Sequence, residues 1–457
     1  PLTALTYRAE LWAWGAHPLF PHLTNLALAA AAAGLLVVVV RRVTGDAPLA
    51  ACAGILFALH PYHVENCWWI AGRADMLAFL FLLLAFLAYD RWRVTTRRIP
   101  AAAMLLFEAA LLCKEAAVSF PAILLLTGMA DRNRRAGRRE LARGVLPMLA
   151  VTIAHFLLLR RAMLGEGSLA QMKGTAPRWA GNLFAFIAGS VIPLHTEFLE
   201  GRPFFYGSLA LAPISLALLS IIRSRRRMPA RFAPASLAFL ILVAPSLLSF
   251  QERYLYLPSA ASAVALASLS RAMPSRRRGF LWAGLMAIWL GSLGWHALAW
   301  SDSGRASERL IRGLKSASMR PEAKEILVIN MPHRVHGVAL AANFQEAVVL
   351  SGGRRLPIRA ITALDFPSGE DDGLAGGLAE AVRATPSGVE VHLDIPSRRF
   401  SRIVLPPPGG LIAARGGAWE VSFEDAQSLV VRHPSGPGRD AYLWSEGRLR
   451  LLEVPGL

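Results

Sequence analysis

The side chains best able to do chemistry are concentrated in one short segment, residues 59–77, which reads LHPYHVENCWWIAGRADML. It holds two histidines, two carboxylic acids, an arginine and a tryptophan pair, with apolar runs on both sides. Carboxyl and imidazole groups exchange protons, and arginine offers a planar fork of donors to oxyanions. Several ionisable groups gathered at the edge of apolar runs predict a functional site rather than a packing feature.

Structural roles explain some of these residues singly. Trp68 and Trp69 are typical of the aromatic belt at a membrane interface, Arg73 of a side chain that reaches toward the headgroups, and Asp75 of a charge at a helix start. These explanations account for single residues better than they account for the whole group.

A proline sets the local backbone of this segment. Pro61 disfavours a helical conformation at His60 and favours a short helix that begins at Pro61 itself. That helix would carry His63 and Glu65. The spacing His60-x-x-His63-x-Glu65 is compatible with a divalent metal, although phosphate contact or a helix cap is the commoner explanation for such histidines.

The composition indicates the setting of the segment. The chain has 457 residues, of which 54% are hydrophobic and only 18% charged, and it contains repeated apolar runs. Such a chain is typical of a multi-span membrane protein rather than a soluble enzyme of several domains. We therefore expect the lipid bilayer to be its main surroundings.

The net charge of +18 raises the question of a nucleic-acid partner. The basic residues, however, fall in short clusters between apolar runs, as loops on the cytoplasmic side of membrane proteins do. This pattern favours membrane topology and argues against nucleic acid. The five clusters are Arg41 and Arg42, Arg91 to Arg98, Arg132 to Arg143, Arg223 to Arg231, and Arg271 to Arg278.

If these clusters lie on the cytoplasmic side of the membrane, the start of the chain lies on the outer side and about ten spans follow. The run from Trp179 to Leu194 would break the parity, so it is predicted to be re-entrant or interfacial. The chain opens on Pro1 without a signal peptide, and we expect a truncated N-terminus. The spans are predicted at 22–40, 48–60, 74–90, 99–113, 116–130, 143–160, 204–222, 232–249, 254–271 and 279–299.

The character of the sequence changes after Trp300. Residues 301–457 contain no apolar run of membrane length, and glycine and proline separate short strand-like segments. The clearest are EILVIN, VEVHLDI, WEVSF and AYLW. We predict a mainly α transmembrane bundle over 1–300 and a soluble β-rich (α+β) domain over 301–457.

Four motifs in order carry a resemblance to a known family. The segment LFALHPYHVENCWWIAGRADMLAFLFLLLAFLAY is followed by LLCKEAAVSFPAILLL and ERYLYLPS, and PLTALTY with HLTNL precedes them. This order resembles the membrane part of the transmembrane and tetratricopeptide-repeat containing O-mannosyltransferases. The resemblance implies a GT-C type glycosyltransferase fold and sugar transfer from a polyprenyl-phosphate carrier.

The sequence also departs from that family. The acidic residues of the family's first outer loop, usually taken to carry the catalytic carboxylate, lie upstream of the segment that matches Pro1. The expected tetratricopeptide repeats are replaced by the β-rich domain, and Ala29 stands where the family has a histidine. The resemblance therefore implies the type of reaction more strongly than it implies the acceptor.

Sugar transfer needs a base for the acceptor hydroxyl and cations or donors around the departing phosphate. Lys114 and Glu115 interrupt an apolar stretch, where each charge would cost about 2.5 to 3.5 kcal/mol at the membrane centre, so we expect them at a turn or a polar cavity. The predicted catalytic carboxylates are Glu65, Asp75 and Glu252. The predicted donors to phosphate are His60, His63, Arg73, Lys114 and Arg253, with Glu115, Tyr254 and Tyr256 lining the pocket.

The sequence thus predicts a multi-pass glycosyltransferase of a bacterial plasma membrane, with its site and C-terminal domain outside the cell. Its partners would be a polyprenyl-phosphate-linked sugar and a protein or glycan acceptor, with no certain cofactor beyond a possible divalent metal. A transporter or flippase of lipid-linked sugars would also need many spans and a polar cavity, and a non-catalytic scaffold stays open as well. Internal inverted repeats would favour transport, and none is evident.

The topology gives a direct prediction. Reporter domains fused after Trp300 and within residues 132–143 should report opposite sides of the membrane, because the arginine-rich loops fix the inner face. A pair of topology reporters, one active only outside and one only inside, measures this. Equal signals from the two fusion sites would contradict the span assignment and the outer position of the site.

Overall fold

A computed structural model of the chain describes residues 1–95, 99–130, 138–163, 176–194, 215, 230–247, 250–329 and 344–361, with further short strands between 334 and 451. These residues are mostly helical. They form two compact units, Pro1–His296 and Ala297–Leu457, and each unit is described by itself.

Helices account for nearly all regular structure in the first unit. A 3-10 turn at Glu115–Ser119 precedes α7, and another at Glu252–Leu255 precedes α11. The helices are α1 (Leu2–Trp14), α2 (Leu19–Thr44), α3 (Ala47–Ala58), α4 (His63–Trp68), α5 (Arg73–Thr95), α6 (Ala101–Cys113), α7 (Phe120–Ala130), α8 (Arg138–Met163), α9 (Ala176–Val191), α10 (Phe232–Val243), α11 (Tyr256–Ala272) and α12 (Ser275–Ser318).

Among the described residues, three helical segments are long and apolar enough to cross a membrane: Leu19–Thr44, Ile70–Val94 and Ser275–Ser318. The chain is therefore a membrane protein. Each other predicted span coincides with a shorter helix or, for 143–160, with the apolar part Arg143–Leu158 of the 26-residue α8. The exception is 204–222, which lies almost wholly outside the described residues. Because a helix such as α3, with 12 residues, extends only about 18 Å, ten complete crossings stay a prediction.

The turn between α2 and α3 follows from its sequence. Gly45 ends α2 in the left-handed conformation, with φ of 69°, and its N–H donates to the Arg41 carbonyl. Asp46 then caps α3 by accepting from the Leu49 N–H at 3.0 Å. Glycine after a helix and aspartate before the next one satisfy backbone groups that both helix ends leave open. The two helices consequently pack against each other as a hairpin.

The short helix predicted after Pro61 is present as α4, although it begins two residues later, at His63. The charged break at Lys114 is also confirmed. Lys114 ends α6 with an extended backbone, φ −154° and ψ 133°, and the chain restarts as a 3-10 turn before α7. Both interruptions place polar side chains at helix ends rather than along helix faces.

The core of the first unit surrounds α11. This helix is rich in alanine and serine, and thirteen of its residues are buried. Small side chains let neighbouring backbones approach closely, and the Ser259, Ser262 and Ser270 hydroxyls donate to carbonyls one turn earlier. The fixed position of α11 matters for the site, because the segment Glu252–Leu255 leads directly into it.

In the second unit the four strand-like segments of the sequence coincide with strands. EILVIN forms β1 (Glu325–Ile329), VEVHLDI forms β6 (Gly388–Asp394), WEVSF forms β7 (Glu420–Phe423) and AYLW lies in β9 (Arg439–Ser445). Residues 362–381 and 395–419 lie outside the described residues, so a separate β-rich domain stays a prediction. The others are β2 (Arg334–Val335), β3 (Val338–Ala339), α13 (Phe344–Leu350), β4 (Ile358–Ile361), β5 (Val382–Thr385), β8 (Ser428–Pro434) and β10 (Arg448–Leu451).

Two four-stranded sheets occur among these strands. One has the order β10-β9-β1-β4, with β1 parallel to both neighbours and β10 antiparallel to β9. A central parallel strand is buried on both faces, and Ile326 and Val328 of β1 are fully buried. The other sheet, β5-β6-β8-β7, is antiparallel throughout.

Candidate functional site

The candidate site is built on a carboxylate that holds an arginine. Glu65 of α4 accepts from the Arg253 backbone N–H at 2.9 Å through Oε2 and from its guanidinium at 3.1 Å through Oε1. The guanidinium carbon lies 4.3 Å from the centre of the Trp69 ring, a cation–π contact. Two predicted site residues that are 188 positions apart are thereby joined.

Tyr254 brings a second cation to the same place. The Arg253 guanidinium lies 5.1 Å and the Lys114 Nζ 4.9 Å from the centre of the Tyr254 ring. Lys114 also forms ion pairs with Asp75 at 3.6 Å and Glu115 at 3.9 Å, both longer than a hydrogen bond. Arg253 and Lys114 therefore both lie about 5 Å from the centre of one aromatic ring, and Asp75 and Glu115 pair with Lys114 there.

Glu252 faces away from this pair, into the protein. Its Oε2 lies 2.9 Å from Nε2 of His296 on α12, and His296 Nδ1 lies 2.7 Å from the Ser292 carbonyl. Both side chains are buried. Sequence reasoning missed His296, although a lone histidine in an apolar span is a recognisable signal of a polar partner.

Arg73 lies apart from the other two cations and is fully buried. Its guanidinium pairs with Glu10 at 2.8 Å and donates to Asn25 Oδ1 at 2.9 Å, Thr6 Oγ1 at 3.2 Å and the Pro21 carbonyl at 3.1 Å. Because these protein groups occupy the guanidinium, the geometry favours a structural role over the predicted contact with phosphate.

Asn25 connects Arg73 to the segment that carries Trp69. While Oδ1 accepts from Arg73, Nδ2 lies 3.4 to 3.5 Å from four carbonyl oxygens. The Tyr7 hydroxyl donates to one of these carbonyls, that of Ile70, at 2.7 Å. The carbonyl-bearing residues are Asn66, Cys67, Trp69 and Ile70. Sequence reasoning did not identify Asn25 or Tyr7 as part of this support.

The histidines of the opening motif lie deeper than predicted. His63 Nε2 lies 2.9 Å from the Ser259 hydroxyl of α11, and its ring contacts Tyr256 with centres 4.5 Å apart. The His60 ring is buried beside His63 and Trp289, with centre distances of 5.2 and 5.0 Å. His63 of α4 thus packs against Tyr256, the first residue of α11, while Arg253 and Tyr254 lie in the turn just before α11.

The predicted metal spacing has no counterpart in the arrangement of these side chains. Glu65 is committed to Arg253 and His63 to Ser259, so their ligating atoms point to different partners. Within the described residues, no group of three or more histidine, cysteine or acidic side chains could hold a metal ion. The possible divalent metal stays a prediction.

The environment of Glu65 changes its acidity. Burial raises the pKa of the Glu65 carboxyl from 4.5 to about 7, and the neighbouring Glu252 carboxylate adds to the rise, whereas Arg253 opposes it. A group with a pKa near neutrality changes charge over the physiological pH range. Because the ionised form accepts both hydrogen bonds from Arg253, its protonation loosens the arginine.

Comparison with known proteins agrees with the resemblance seen in the motifs. Protein O-mannosyl-transferase Tmtc1 of Drosophila melanogaster is 37% identical over 141 residues, 31% of this chain. Tmtc2 of Drosophila melanogaster is 36% identical over 29% of the chain, and human TMTC3 is 30% identical over 37%. The chain resembles this O-mannosyltransferase family. No family model and no solved structure matches it.

The match is partial on both sides. It covers 16% of the length of each Drosophila relative and 17% of human TMTC3. The names of these relatives therefore describe much longer proteins. For this chain, their activity is a proposal.

The burial of Arg73 predicts that it is needed for stability. Arg73→Lys should lower the free energy of unfolding by roughly 2 to 4 kcal/mol, because lysine keeps the charge but cannot reach the same partners. Arg8→Lys, an exposed change on the same helix as Glu10, is the matched control. Thermal unfolding of the purified protein measures both, and an unchanged midpoint for Arg73→Lys would remove its structural role.

Proposed function

We propose that this chain is the membrane part of a glycosyltransferase that moves a sugar from a polyprenyl-phosphate carrier to an acceptor outside the cell. The observation that carries the proposal is the pair of cations, Arg253 and Lys114, which lie 5.1 and 4.9 Å from the centre of the same Tyr254 ring. The partial similarity to O-mannosyl-transferases supports a mannose-like sugar. A protein or a glycan is the proposed acceptor.

The two cations would bind the carrier phosphate. In the reaction the acceptor oxygen bonds to the anomeric carbon, the bond from that carbon to the phosphate oxygen breaks, and negative charge collects on the phosphate. Arg253 uses one terminal nitrogen for Glu65, which leaves Nε and the other terminal nitrogen without a hydrogen bond to the described residues. Two such donors match two phosphate oxygens, and Lys114 adds a point charge.

The three predicted catalytic carboxylates each face a cation or a histidine. Glu65 holds Arg253, Asp75 lies by Lys114, and Glu252 pairs with His296. We assign Glu65 and Asp75 to positioning the phosphate-binding cations, and Glu252 to fixing the backbone beside Arg253. Fixed cations stabilise developing charge without reorganising during the reaction. A direct role of any of them as the base toward the acceptor hydroxyl stays a prediction.

We also propose that the site opens to the outside of a bacterial plasma membrane. The site lies at the first turns of α2 and α5, and Arg41, Arg42, Arg91 and Arg93 lie at the opposite ends of the same helices. If the arginines mark the cytoplasmic side, the site lies outside. A carrier with its phosphate in the outer leaflet would then reach Arg253 and Lys114 laterally.

The role of Arg253 gives the main test. Arg253→Lys should lower the rate of sugar transfer about 100-fold, because lysine cannot present two parallel donors to a departing phosphate. The measurement is transfer from a polyprenyl-phosphate sugar by the purified full-length protein, with exposed Arg276→Lys as the matched control. An unimpaired Arg253→Ala variant would exclude Arg253, and movement of the donor across vesicles without transfer would indicate a flippase.

The raised pKa of Glu65 gives a pH dependence. Glu65 is ionised above its pKa of about 7, so the transfer rate should fall as the pH drops through that value and Arg253 loses its acceptor. Glu65→Gln should abolish transfer while leaving folding and membrane insertion intact. Glu308→Gln, which removes an acid whose side chain is 67% exposed and pairs with Arg312, should keep the wild-type profile. Normal transfer by Glu65→Gln, or a flat wild-type profile, would contradict this role.

A further inference from the structure

A charged cavity lies at the ends of α2 and α5 that are far from the candidate site. Its volume is about 710 Å³, and four arginines line it, Arg41, Arg42, Arg93 and Arg231. Asp90, which also lines it, follows Asp75 of the candidate site by about 22 Å along the axis of α5. The cavity is therefore separate from the site proposed for sugar transfer.

The charges around this cavity do not balance. Among the described residues of the lining, Asp90 is the one acid, and it pairs with Arg42. In the part of the chain that the structure describes, the guanidinium groups of Arg41 and Arg231 have no hydrogen bond or ion pair. Guanidinium groups gathered around one space repel each other unless an anion lies between them. The cavity thus has the electrostatics of an oxyanion site.

The wall of the cavity on its other side is apolar. Val37 and Val38 lie about one helical turn from Arg41 and Arg42 toward the middle of α2, and Phe86 lies about two turns from Arg93 toward the middle of α5. Val38 is 49% exposed, on a helix long and apolar enough to cross a membrane. An exposed valine on such a helix faces hydrocarbon, so the cavity combines an anion site with a surface for an acyl chain.

We propose that this cavity binds one anionic glycerophospholipid, with its phosphate at Arg41 and Arg231 and an acyl chain along Val37 and Val38. The tendency of arginines to lie on the cytoplasmic side explains their presence at this end of the helices. That tendency alone does not explain why arginines from α2, from α5 and from the residue before α10 line the same cavity, with one acid among its described lining residues. The proposal does not depend on the sugar-transfer activity.

Lipid binding by the full-length protein tests the proposal. In nanodiscs of phosphatidylcholine, titrated phosphatidylglycerol should bind, and native mass spectrometry counts the bound molecules. The double variant Arg41→Gln, Arg231→Gln should bind the lipid about 25-fold more weakly, because the loss of each cation weakens binding about fivefold. The matched control is Arg276→Gln with Arg278→Gln, which removes two arginines of the last basic cluster outside the cavity.

The control separates a built site from general attraction to an anionic surface. The proposal is supported if the cavity variant binds phosphatidylglycerol more weakly and the control variant does not. Arg231→Gln alone should then lower the affinity about fivefold. Equal weakening by both double variants, or by neither, overturns it. Inorganic phosphate and glycerol phosphate should not displace the lipid, and displacement by either would assign the cavity to a soluble phosphate instead. Equal thermal midpoints of the variants in phosphatidylcholine show that each one folds.

Discussion

The architecture of the end of the first unit that holds the candidate site depends on the burial of one guanidinium. Arg73 is fully buried, and a charge in such a place is tolerated only when hydrogen bonds and an opposite charge replace water. Those replacements come from Glu10 and Thr6 on α1 and from Pro21 and Asn25 on α2. Arg73 itself is the first residue of α5. Satisfying one cation therefore joins three helices.

The same requirement extends to the cations of the candidate site. Asn25 accepts from Arg73 and lies against the carbonyls around Trp69, which supports the ring on which Arg253 is stacked. Two residues after Arg73 along α5, Asp75 lies by Lys114. The residues that hold Arg253 and Lys114 in place are thus themselves connected to the buried Arg73. Rigid support of this kind keeps charged donors in place without the substrate.

Local sequence predicted the parts of the site but only some of their relations. The proline after His60 and the charged pair at Lys114 predicted helix ends, because backbone chemistry and the cost of charge in an apolar run act locally. The pairing of Glu65 with Arg253 spans 188 positions, and that of Glu252 with His296 spans 44. Such pairs depend on how helices pack, which neither spacing nor periodicity specifies. For the same reason Arg73 was predicted to bind phosphate, whereas the structure surrounds it with protein groups.

Charged side chains are stabilised in different ways at the two ends of α2 and α5. At the end that holds the candidate site, Glu10, Glu65 and Asp75 each face a cation, and the partly exposed cations Arg253 and Lys114 lie together near one ring. At the other end, one acid among the described lining residues faces several arginines across an open cavity. Ion pairs fix side chains in place, whereas cations without a paired acid are stabilised most by an added anion. The end with the candidate site is accordingly built to hold its cations still before any ligand arrives, and the other end to be completed by one.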